Sequence, residues 1–577
     1  MKKVLIANRG EIAVRVIRAC ASYGLKSVAV YSDTDANAMH VHLADEAYGL
    51  DGRSALETYL DADKILAAAK KSGADAIHPG YGFLSERADF AQAVEDAGLI
   101  WIGPTPENIA LLGDKVAART IAEKVGAPLV PGTPGPVDSV DEVRAFADAH
   151  GYPIAIKAAF GGGGRGLKVV RSPKELELRY DSAVSEAVSA FGRGECYVER
   201  FVDRPRHVET QILGDGKGRI VVVGTRDCSA QRRHQKVIEE APAPFITDLQ
   251  MEKLIEASVA IGSEVKYRGV GTMEFMLGSD GLLSFLEVNT RLQVEHPVTE
   301  RVTGVDLVIW QFKIAEGHDM DELPDVVPQI GHCFEFRINA EDPGRGFLPQ
   351  AGEFTRFDVP GGPFLRVDSG VGSAGTISAE FDSMIAKIIV WGNNREEAVA
   401  RSRQAMKECN IEGIPTLVPF HRRMLEEPQF AATKAKDFLV HTNWIENECT
   451  WLGELTQPLP AGVHREEVIR EWFEVDGKWI RLGFPASLVG TGGSGVHAPA
   501  KAAPSATTAG AVKSAMNGLV SKWLKATGDA VAEGESVGVL EAMKMEMPIV
   551  AEESGTFTQM VEEGTTVKEG QVIATIL

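Results

Sequence analysis

The chain has 577 residues, 44% of them hydrophobic and 24% charged, a globular composition that excludes wholesale disorder, collagen and coiled coil. At roughly 150 residues per domain it should fold as about four units. Its 60 Lys and Arg against 81 Asp and Glu leave a net charge of −21, which argues against nucleic-acid phosphates or anionic lipid as partners.

The apolar run Val4 to Ala7 is too short for a secretory signal, and no stretch reaches 18 apolar residues, so a cytoplasmic protein without membrane contact is expected. Cys20, Cys196, Cys228, Cys333, Cys409 and Cys449 lack CxxC spacing and read as buried thiols. Val4 to Asn8 reads as a buried strand, Glu11 to Tyr23 has helical apolar spacing, and Ser27 to Tyr31 returns to strand character. That is a βαβ opening. Its first turn, Asn8-Arg9-Gly10-Glu11, lacks the GxGxxG glycines that cradle a dinucleotide pyrophosphate. Ile100 to Pro104 reads as the last strand of this unit, with a boundary near 113.

From 114 to about 327 come two glycine-rich turns and several strand pairs, and the alternating run 333–339 opens a separate lobe reaching about 448. Between 449 and 489 the signal is a hairpin around Asp476-Gly477, to which no chemistry attaches. Residues 490–510 are small and polar, a flexible linker spanning about 25 Å as a coil and about 65 Å if polyproline-like. Beyond it, Gly528, Val531 and Gly534 recur as Gly564, Val567 and Gly570, 36 residues later, which implies two similar β halves of a small flattened barrel or sandwich. Glu541-Ala542-Met543-Lys544-Met545-Glu546-Met547 lies between them.

Several motifs carry candidate chemistry. Lys157 leads into a loop, Gly161 to Gly166, in which glycines let backbone N–H groups reach phosphate oxygens while Lys157 and Arg165 supply charge. A flexible surface turn is the other reading. The runs Gly271 to Leu277 and Leu283 to Asn289 flank Asp280-Gly281, a two-residue hairpin turn. In that register Glu274 faces Glu287 and Thr272 faces Asn289, while Met273, Phe275 and Leu277 meet Val288, Leu286 and Ser284 on the apolar face.

Opposed carboxylates repel unless a cation lies between them, and oxygen ligands favour Mg²⁺ or Mn²⁺ together with substrate phosphates; a solvated pair is the alternative. Continued alternation points Asn289, Arg291, Gln293 and Glu295 one way until His296-Pro297 interrupts the strand. Arg291 could then hold a small planar anion and Glu295 remove its proton, or the two could form a structural ion pair. Gln231-Arg232-Arg233-His234-Gln235-Lys236 reads as a local anion site or a solvated basic turn. Arg337 shares a polar strand face with Glu335 and Asn339 and by itself reads as ion-paired.

Taken jointly, HPGYGFLSE (78–86), GGGGRG (161–166), RHVETQ (206–211), QRRHQKV (231–237) and EVNTRLQVEHPVTE (287–300) resemble the biotin carboxylase branch of the ATP-grasp enzymes, over residues 1 to about 448. The resemblance implies an α/β and α+β fold. A Rossmann-like domain would span 1–113, and an ATP-grasp domain 114–327 with a mobile lid at about 131–203. A C-terminal biotin carboxylase lobe would span 328–448, a short connecting region 449–489 and, after the linker, an all-β carrier domain 511–577.

It further implies that Lys115 and Lys157 contact phosphate, that Gly163 and Gly164 belong to the lid loop, and that Glu199, Arg200, Phe201 and Val202 border the adenine. His207, Gln231 and His234 match the nucleotide site, and Glu274, Glu287 and Asn289 the metal ligands. Lys236, Arg291, Gln293 and Val294 match the bicarbonate pocket, Glu295 the base that deprotonates bicarbonate, and Arg337 the cation that stabilises the enolate of the biotin ureido group. Two positions depart from the pattern: Arg200 stands where a lysine is expected, and Phe160 enters the glycine loop.

The last 67 residues resemble a biotinyl carrier domain, with Lys544 at a hairpin tip as the residue acylated by a biotin protein ligase. A lipoyl domain shares the fold, but methionines on both sides of Lys544 favour biotin. The implied cofactors are covalent biotin, ATP, and Mg²⁺ or Mn²⁺, and the implied reaction is ATP-dependent carboxylation of biotin by bicarbonate. The chain is similar to the compact actinobacterial alpha subunits of acetyl- or propionyl-coenzyme A carboxylases. No acyl-coenzyme A pocket is legible, which implies a separate carboxyltransferase beta subunit that binds the acceptor, and a homo-oligomer within an alpha/beta hetero-oligomer. A carrier scaffold with an inactive ATP-grasp part, or an ATP-grasp ligase for another carboxylate, would not need the set Lys157, Glu274, Glu287, Glu295, Arg337 and Lys544.

Overall fold

The structure is a computed structural model that describes residues 1–158, 167–191, 194–372, 375–457, 468–475, 478–485, 510–514, 518–542, 545–567 and 570–576. They form two units, Met1–Glu412 with Thr416–Thr456, and Gly413–Pro415 with Gln457–Leu577.

The first apolar run becomes the strand Lys3–Ile6, with Val4, Leu5 and Ile6 sealed from solvent. It is the middle of a five-stranded parallel sheet, with Lys26–Tyr31 and Glu46–Gly49 on one side and Ala76–His78 and Ile100–Trp101 on the other. The helix Gly10–Tyr23 makes the first crossover and ends at Gly24, whose φ of 85° is left-handed and suits glycine. This is the Rossmann-like opening. Where a dinucleotide fold would place its glycine turn, Asn8 donates to the Pro79 and Tyr81 carbonyls at 2.7 and 2.8 Å and ties the turn to the loop after Ala76–His78.

Eight antiparallel strands form the main sheet, in the order Leu283–Asn289, Arg268–Leu277, Arg206–Asp215, Ile220–Arg232, Gln235–Ala241, His332–Asn339, Met384–Gly392, Leu365–Ser369. Three strands of the 332–448 segment, expected as a separate lobe, join this sheet. The first of them covers the backbone edge that Gln235–Ala241 would otherwise leave open, with Glu335 directly opposite Glu239.

At the other end, the 271–289 hairpin differs from its expected form in two compensating ways. Its loop holds three residues, Ser279, Asp280 and Gly281, because the Gly278 N–H donates to the Leu282 carbonyl at 2.8 Å. Gly281 takes the left-handed φ of 83° that such a loop requires. Phe275 therefore faces Phe285 and Leu277 faces Leu283, until a bulge at Leu286 restores Glu274 opposite Glu287 and Thr272 opposite Asn289. Leu286 turns out to 42% exposure, and Phe285 and Leu283 take over the apolar face beside Met273 and Val288.

A smaller antiparallel sheet places Ile154–Ala158 between Leu167–Val170 and Cys196–Arg200. The helices Val140–His150 and Leu176–Phe191 pack on it through Val143, Phe146, Leu176 and Ala183. Residues 159–166, with Gly163 and Gly164, lie outside the described residues.

In the second unit Val468–Val475 pairs with Lys478–Pro485, Val475 opposite Lys478, as the hairpin signal predicts; Asp476 and Gly477 are outside the described residues, as is the linker except Gly510. The carrier segment forms two four-stranded sheets, one of Ala511–Lys513, Val572–Ile576, Gly555–Gln559 and Ala530–Val531, the other of Met545–Val550, Ser536–Ala542, Gly518–Trp523 and Thr566–Val567. The 36-residue repeat maps each strand of one sheet onto a strand of the other: Ala511–Lys513 onto Met545–Val550, Gly518–Trp523 onto Gly555–Gln559, Ala530–Val531 onto Thr566–Val567, and Ser536–Ala542 onto Val572–Ile576. This is the pseudo-twofold all-β arrangement that the glycine echo implies. Lys544 falls outside the described residues.

All six cysteines are buried and free. Among the described residues no helix is long and apolar enough to cross a membrane.

Candidate active site

Strand pleating puts alternate residues of Arg206–Asp215 on one face, so His207, Glu209 and Gln211 point the same way. Ladder pairing then aligns Glu287, Glu274, Glu209 and Arg226 in one row across four strands. Three carboxylates in a row repel, and cations relieve them. Lys236 Nζ donates to Glu209 Oε2 at 2.7 Å, Glu274 Oε1 at 2.9 Å and Glu295 Oε1 at 2.7 Å. Lys115 Nζ lies 2.9 Å from Glu287 Oε2. Glu274 and Glu287 are thus each paired with a lysine, Lys236 and Lys115.

Arg226 is sealed from solvent and bonds Glu209, Gln211, Thr272, Gln293 and Thr299. Gln293 passes the network on, its Nε2 donating to Glu274 Oε1 at 3.1 Å. Removing Arg226 leaves Glu209 buried with one cation fewer, so Arg226→Met should cost about 3–5 kcal/mol. Denaturant unfolding of the full chain checks this, and a loss below about 1 kcal/mol would show that Lys236 alone neutralises the row.

These groups tune one another. Burial opposes charge on Lys236, but Glu209, Glu274 and Glu295 hold its pKa well above the ordinary lysine value. Burial likewise raises Glu295, yet Lys236 and then Arg337 bring it down to about 2, so it is ionised. Lys236 and His207 keep Glu274 well below the carboxylate range against the same burial. His207, whose Nε2 is 3.2 Å from Glu274 Oε2, is depressed by burial but lifted by that carboxylate to about 9.

Past Asn289 the strand ends, and the extrapolated alternation fails there. Glu295 is the residue before the helix His296–Thr303, and its φ of −82° and ψ of 10° lie outside the strand region. Gln293 and Glu295 still converge on the charged row, because the chain turns inward over the sheet. Arg291 does not join Glu295: its Nε donates to Glu86 Oε2 at 2.8 Å and its Nη2 to Asn289 Oδ1 at 3.1 Å. Val294 gives its carbonyl to Lys387 Nζ at 2.8 Å. Arg337, read as ion-paired, donates to Glu239 Oε1 at 2.5 Å and to Glu295 Oε2 at 2.9 Å.

The basic motif 231–236 is a hairpin turn, with Arg233 and His234 at φ of 47° and 64° between Arg232 and Gln235. Its charges point in different directions. His234 is exposed, Arg232 stacks 4.7 Å from the Phe347 ring, the Arg233 backbone donates to Glu446, and Lys236 turns inward. Gln231 is buried, its amide on the Cys228 carbonyl at 3.3 Å. In the smaller sheet Lys157 pairs with Glu199. Phe201 accepts Arg171 at 5.9 Å over its ring, Arg200 Nη2 lies 3.5 Å from Asp280 Oδ2, and Val202 is buried beside Gly278. That strand end therefore meets the tip of the 271–289 hairpin.

Sequence reading missed Glu209, Arg226, Glu239 and Glu86. The first had a signal: His207, Glu209 and Gln211 alternate with Val208 and Ile212. Glu86 closes the HPGYGFLSE motif, and Arg226 and Glu239 had no signal, because their partners come from segments distant in the chain. Glu274, Glu287 and Asn289 present hard oxygen donors along one face, a set that suits Mg²⁺ or Mn²⁺ in the presence of phosphates.

Comparison with known proteins fits this geometry. The families described as biotin carboxylase N-terminal domain, carbamoyl-phosphate synthase L chain ATP binding domain, biotin carboxylase C-terminal domain and biotin-requiring enzyme match residues 1–109, 114–323, 335–447 and 508–576. The biotin-dependent acyl-coenzyme A carboxylase alpha3 subunit of Mycobacterium leprae is 54% identical, over 100% of this chain and 98% of that protein. A biotin carboxylase from a Nostoc species is 48% identical over 74% of this chain and 96% of its own. Among solved structures, the biotin carboxylase subunit of a pyruvate carboxylase has 44% identity and a TM-score of 0.72, covering 78% of this chain and 99% of its own. The bicarbonate-bound biotin carboxylase domain of a thermophilic 2-oxoglutarate carboxylase has 42% identity and a TM-score of 0.73, covering 78% and 99%. The chain is accordingly a biotin carboxylase with its own carrier domain, catalysing ATP-dependent carboxylation with biotin, ATP and Mg²⁺ as cofactors. With all four parts matched on one polypeptide, it belongs to the family of biotin-dependent acyl-coenzyme A carboxylase alpha subunits.

Proposed function

We propose that the chain carboxylates biotin attached to its own Lys544, and that a separate carboxyltransferase beta subunit passes the carboxyl group to acetyl- or propionyl-coenzyme A. Biotin protein ligase would attach the biotin, and the chain would work as a homo-oligomer within an alpha/beta assembly. The observation that carries the reading is Glu295 clamped between Lys236 and Arg337, where a base, an anion-holding cation and a second cation meet at one point.

Lys115 and Lys157 would contact the ATP phosphates together with Gly163 and Gly164. Glu199, Arg200, Phe201, Val202, His207, Gln231 and His234 would hold the base and ribose. Glu274, Glu287 and Asn289 would hold Mg²⁺ or Mn²⁺, whose charge, when bound, offsets that developing on the transferred phosphoryl group. Arg291, Lys236, Gln293 and the Val294 backbone would hold bicarbonate. Arg291 has to exchange Glu86 for the incoming anion, and Lys236 has to share itself with it. Glu295 then loses part of the cation that depresses it, and its basicity rises where a proton must be removed. Deprotonated bicarbonate attacks the γ-phosphorus, ADP leaves, and carboxyphosphate results. Carboxyphosphate would split into CO₂ and phosphate, the phosphate would take the ureido N–H proton, and the ureido nitrogen of attached biotin would bond the CO₂ carbon. Arg337 would pair with negative charge on the ureido oxygen.

ADP release that requires bicarbonate and biotin together tests the whole reading, since a scaffold releases none and a ligase for another carboxylate ignores biotin. Glu287→Gln should weaken metal-dependent ATP turnover by roughly tenfold or more. A metal titration identical to that of the parent enzyme would remove Glu287 from the ligand set.

A further inference from the structure

Beside Arg337 the sheet buries a pair of acids for which the reaction above has no use. Glu239 and Glu335 face each other directly across the ladder between Gln235–Ala241 and His332–Asn339, and both are sealed from solvent. Glu239 Oε1 accepts from Arg337. Glu239 Oε2, Glu335 Oε1 and Glu335 Oε2 are buried and without any hydrogen-bond partner. Three orphaned acceptors in one sealed place are costly if both groups are carboxylates, because neither can donate. One proton relieves two of the three: a carboxylic acid on one strand donates to the carboxylate on the other.

We propose that Glu335 is a neutral carboxylic acid in the resting enzyme, donating its O–H to Glu239 Oε2, and that it is thereby a positioning residue for the Arg337 guanidinium. With Oε2 occupied, Glu239 grips Arg337 through Oε1 alone, which sets the angle at which the guanidinium faces Glu295. The charged groups around Glu335 agree with this placement of the proton. Glu239 faces it from Gln235–Ala241, Arg337 and Cys333 from its own strand, Lys387 from Met384–Gly392, and Glu295 from the start of the helix. Lys387 is drawn away to the Val294 carbonyl at 2.8 Å and to Glu11 at 3.2 Å. Arg337 is taken by Glu239 and Glu295. Among the described residues no cation bonds Glu335 itself. Burial raises the pKa of Glu335 well above the ordinary value, and that of Glu239 to about 7.

The sign of the pH effect follows. A carboxyl group raised in the folded state contributes its full share of stability below the ordinary value near 4.5 and loses it as pH rises through the folded value. Activity that depends on the angle of Arg337 should therefore fall on the alkaline side, not the acid side.

The test uses the full-length enzyme and Glu335→Gln, in which an amide N–H replaces the acid O–H as donor to Glu239. We expect a protonated-carboxyl C=O stretch in the infrared difference spectrum of parent minus variant at pH 7. Free-biotin carboxylation should stay within about twofold of the parent at pH 7, with the alkaline limb displaced. Glu335→Ala, which donates nothing, should raise the KM for biotin by roughly tenfold. Absence of the infrared band, a Gln variant that fails to fold, or a folded Gln variant slowed more than tenfold would each show that Glu335 has to be ionised and would overturn the proposal. The part given to Arg337 rests on the function proposed above. An Arg337→Gln enzyme that still carboxylates free biotin would sink that reading while leaving the Glu335 band in place.

Discussion

Glu295→Gln should lower bicarbonate-dependent ATP cleavage by about 10²–10⁴-fold, the usual contribution of a positioned general base, while leaving the fold intact. The amide is close in shape to the carboxylate. Lys236 keeps Glu209 and Glu274, and Arg337 keeps Glu239, so no cation is stranded by the change. What disappears is, among the described residues, the only group bonded to both cations at once that can take a proton. The depressed pKa fixes the sign of the linked stability effect. Glu295 contributes fully above about pH 4.5, and that contribution is lost as pH falls toward about 2. An acid limb of activity near neutral pH therefore has another origin than unliganded Glu295. Steady-state assays with free biotin and varied bicarbonate measure the loss; a variant within threefold of the parent would take Glu295 out of proton transfer.

The second large effect concerns the carrier. Lys544→Ala should abolish biotin incorporation and all acyl-coenzyme A carboxylation in the presence of the beta subunit, yet leave carboxylation of free biotin within about twofold. The reasoning is modular. Ser536–Ala542 and Met545–Val550 pair so that Ala542 faces Met545, and Lys544 belongs to the two-residue connection between these strands in the chain. The first unit holds every residue of the carboxylase site named above, so a change in the carrier leaves that chemistry alone. Avidin blotting and the two assays run side by side separate the outcomes. Equal loss of both activities would contradict a carrier that only delivers biotin.

Much of the site was legible because hairpins are local. The Glu274–Glu287 and Thr272–Asn289 pairs follow from one turn, although the turn has three residues rather than two and a bulge at Leu286 cancels the difference. Periodicity also marked the βαβ opening, and the glycine echo marked the twofold carrier sheets. Alternation, in contrast, misled beyond Asn289, because a period of two holds only while the strand lasts. Gln293 and Glu295 reach the row through a turn into a helix, and Arg291 goes to Glu86.

The sequence by itself determined the parts: the hairpin acids, the Rossmann-like start, the symmetric carrier and the motifs that mark the family. Only the tertiary structure decided that Lys236 joins three acids, that Arg226 anchors Glu209, that Glu239 meets Glu335, and that the 332–448 segment continues the main sheet. The physical reason is range. Backbone hydrogen bonding and pleating set which face a residue takes within a few positions, whereas the neighbour across a ladder depends on a strand order that no local pattern encodes.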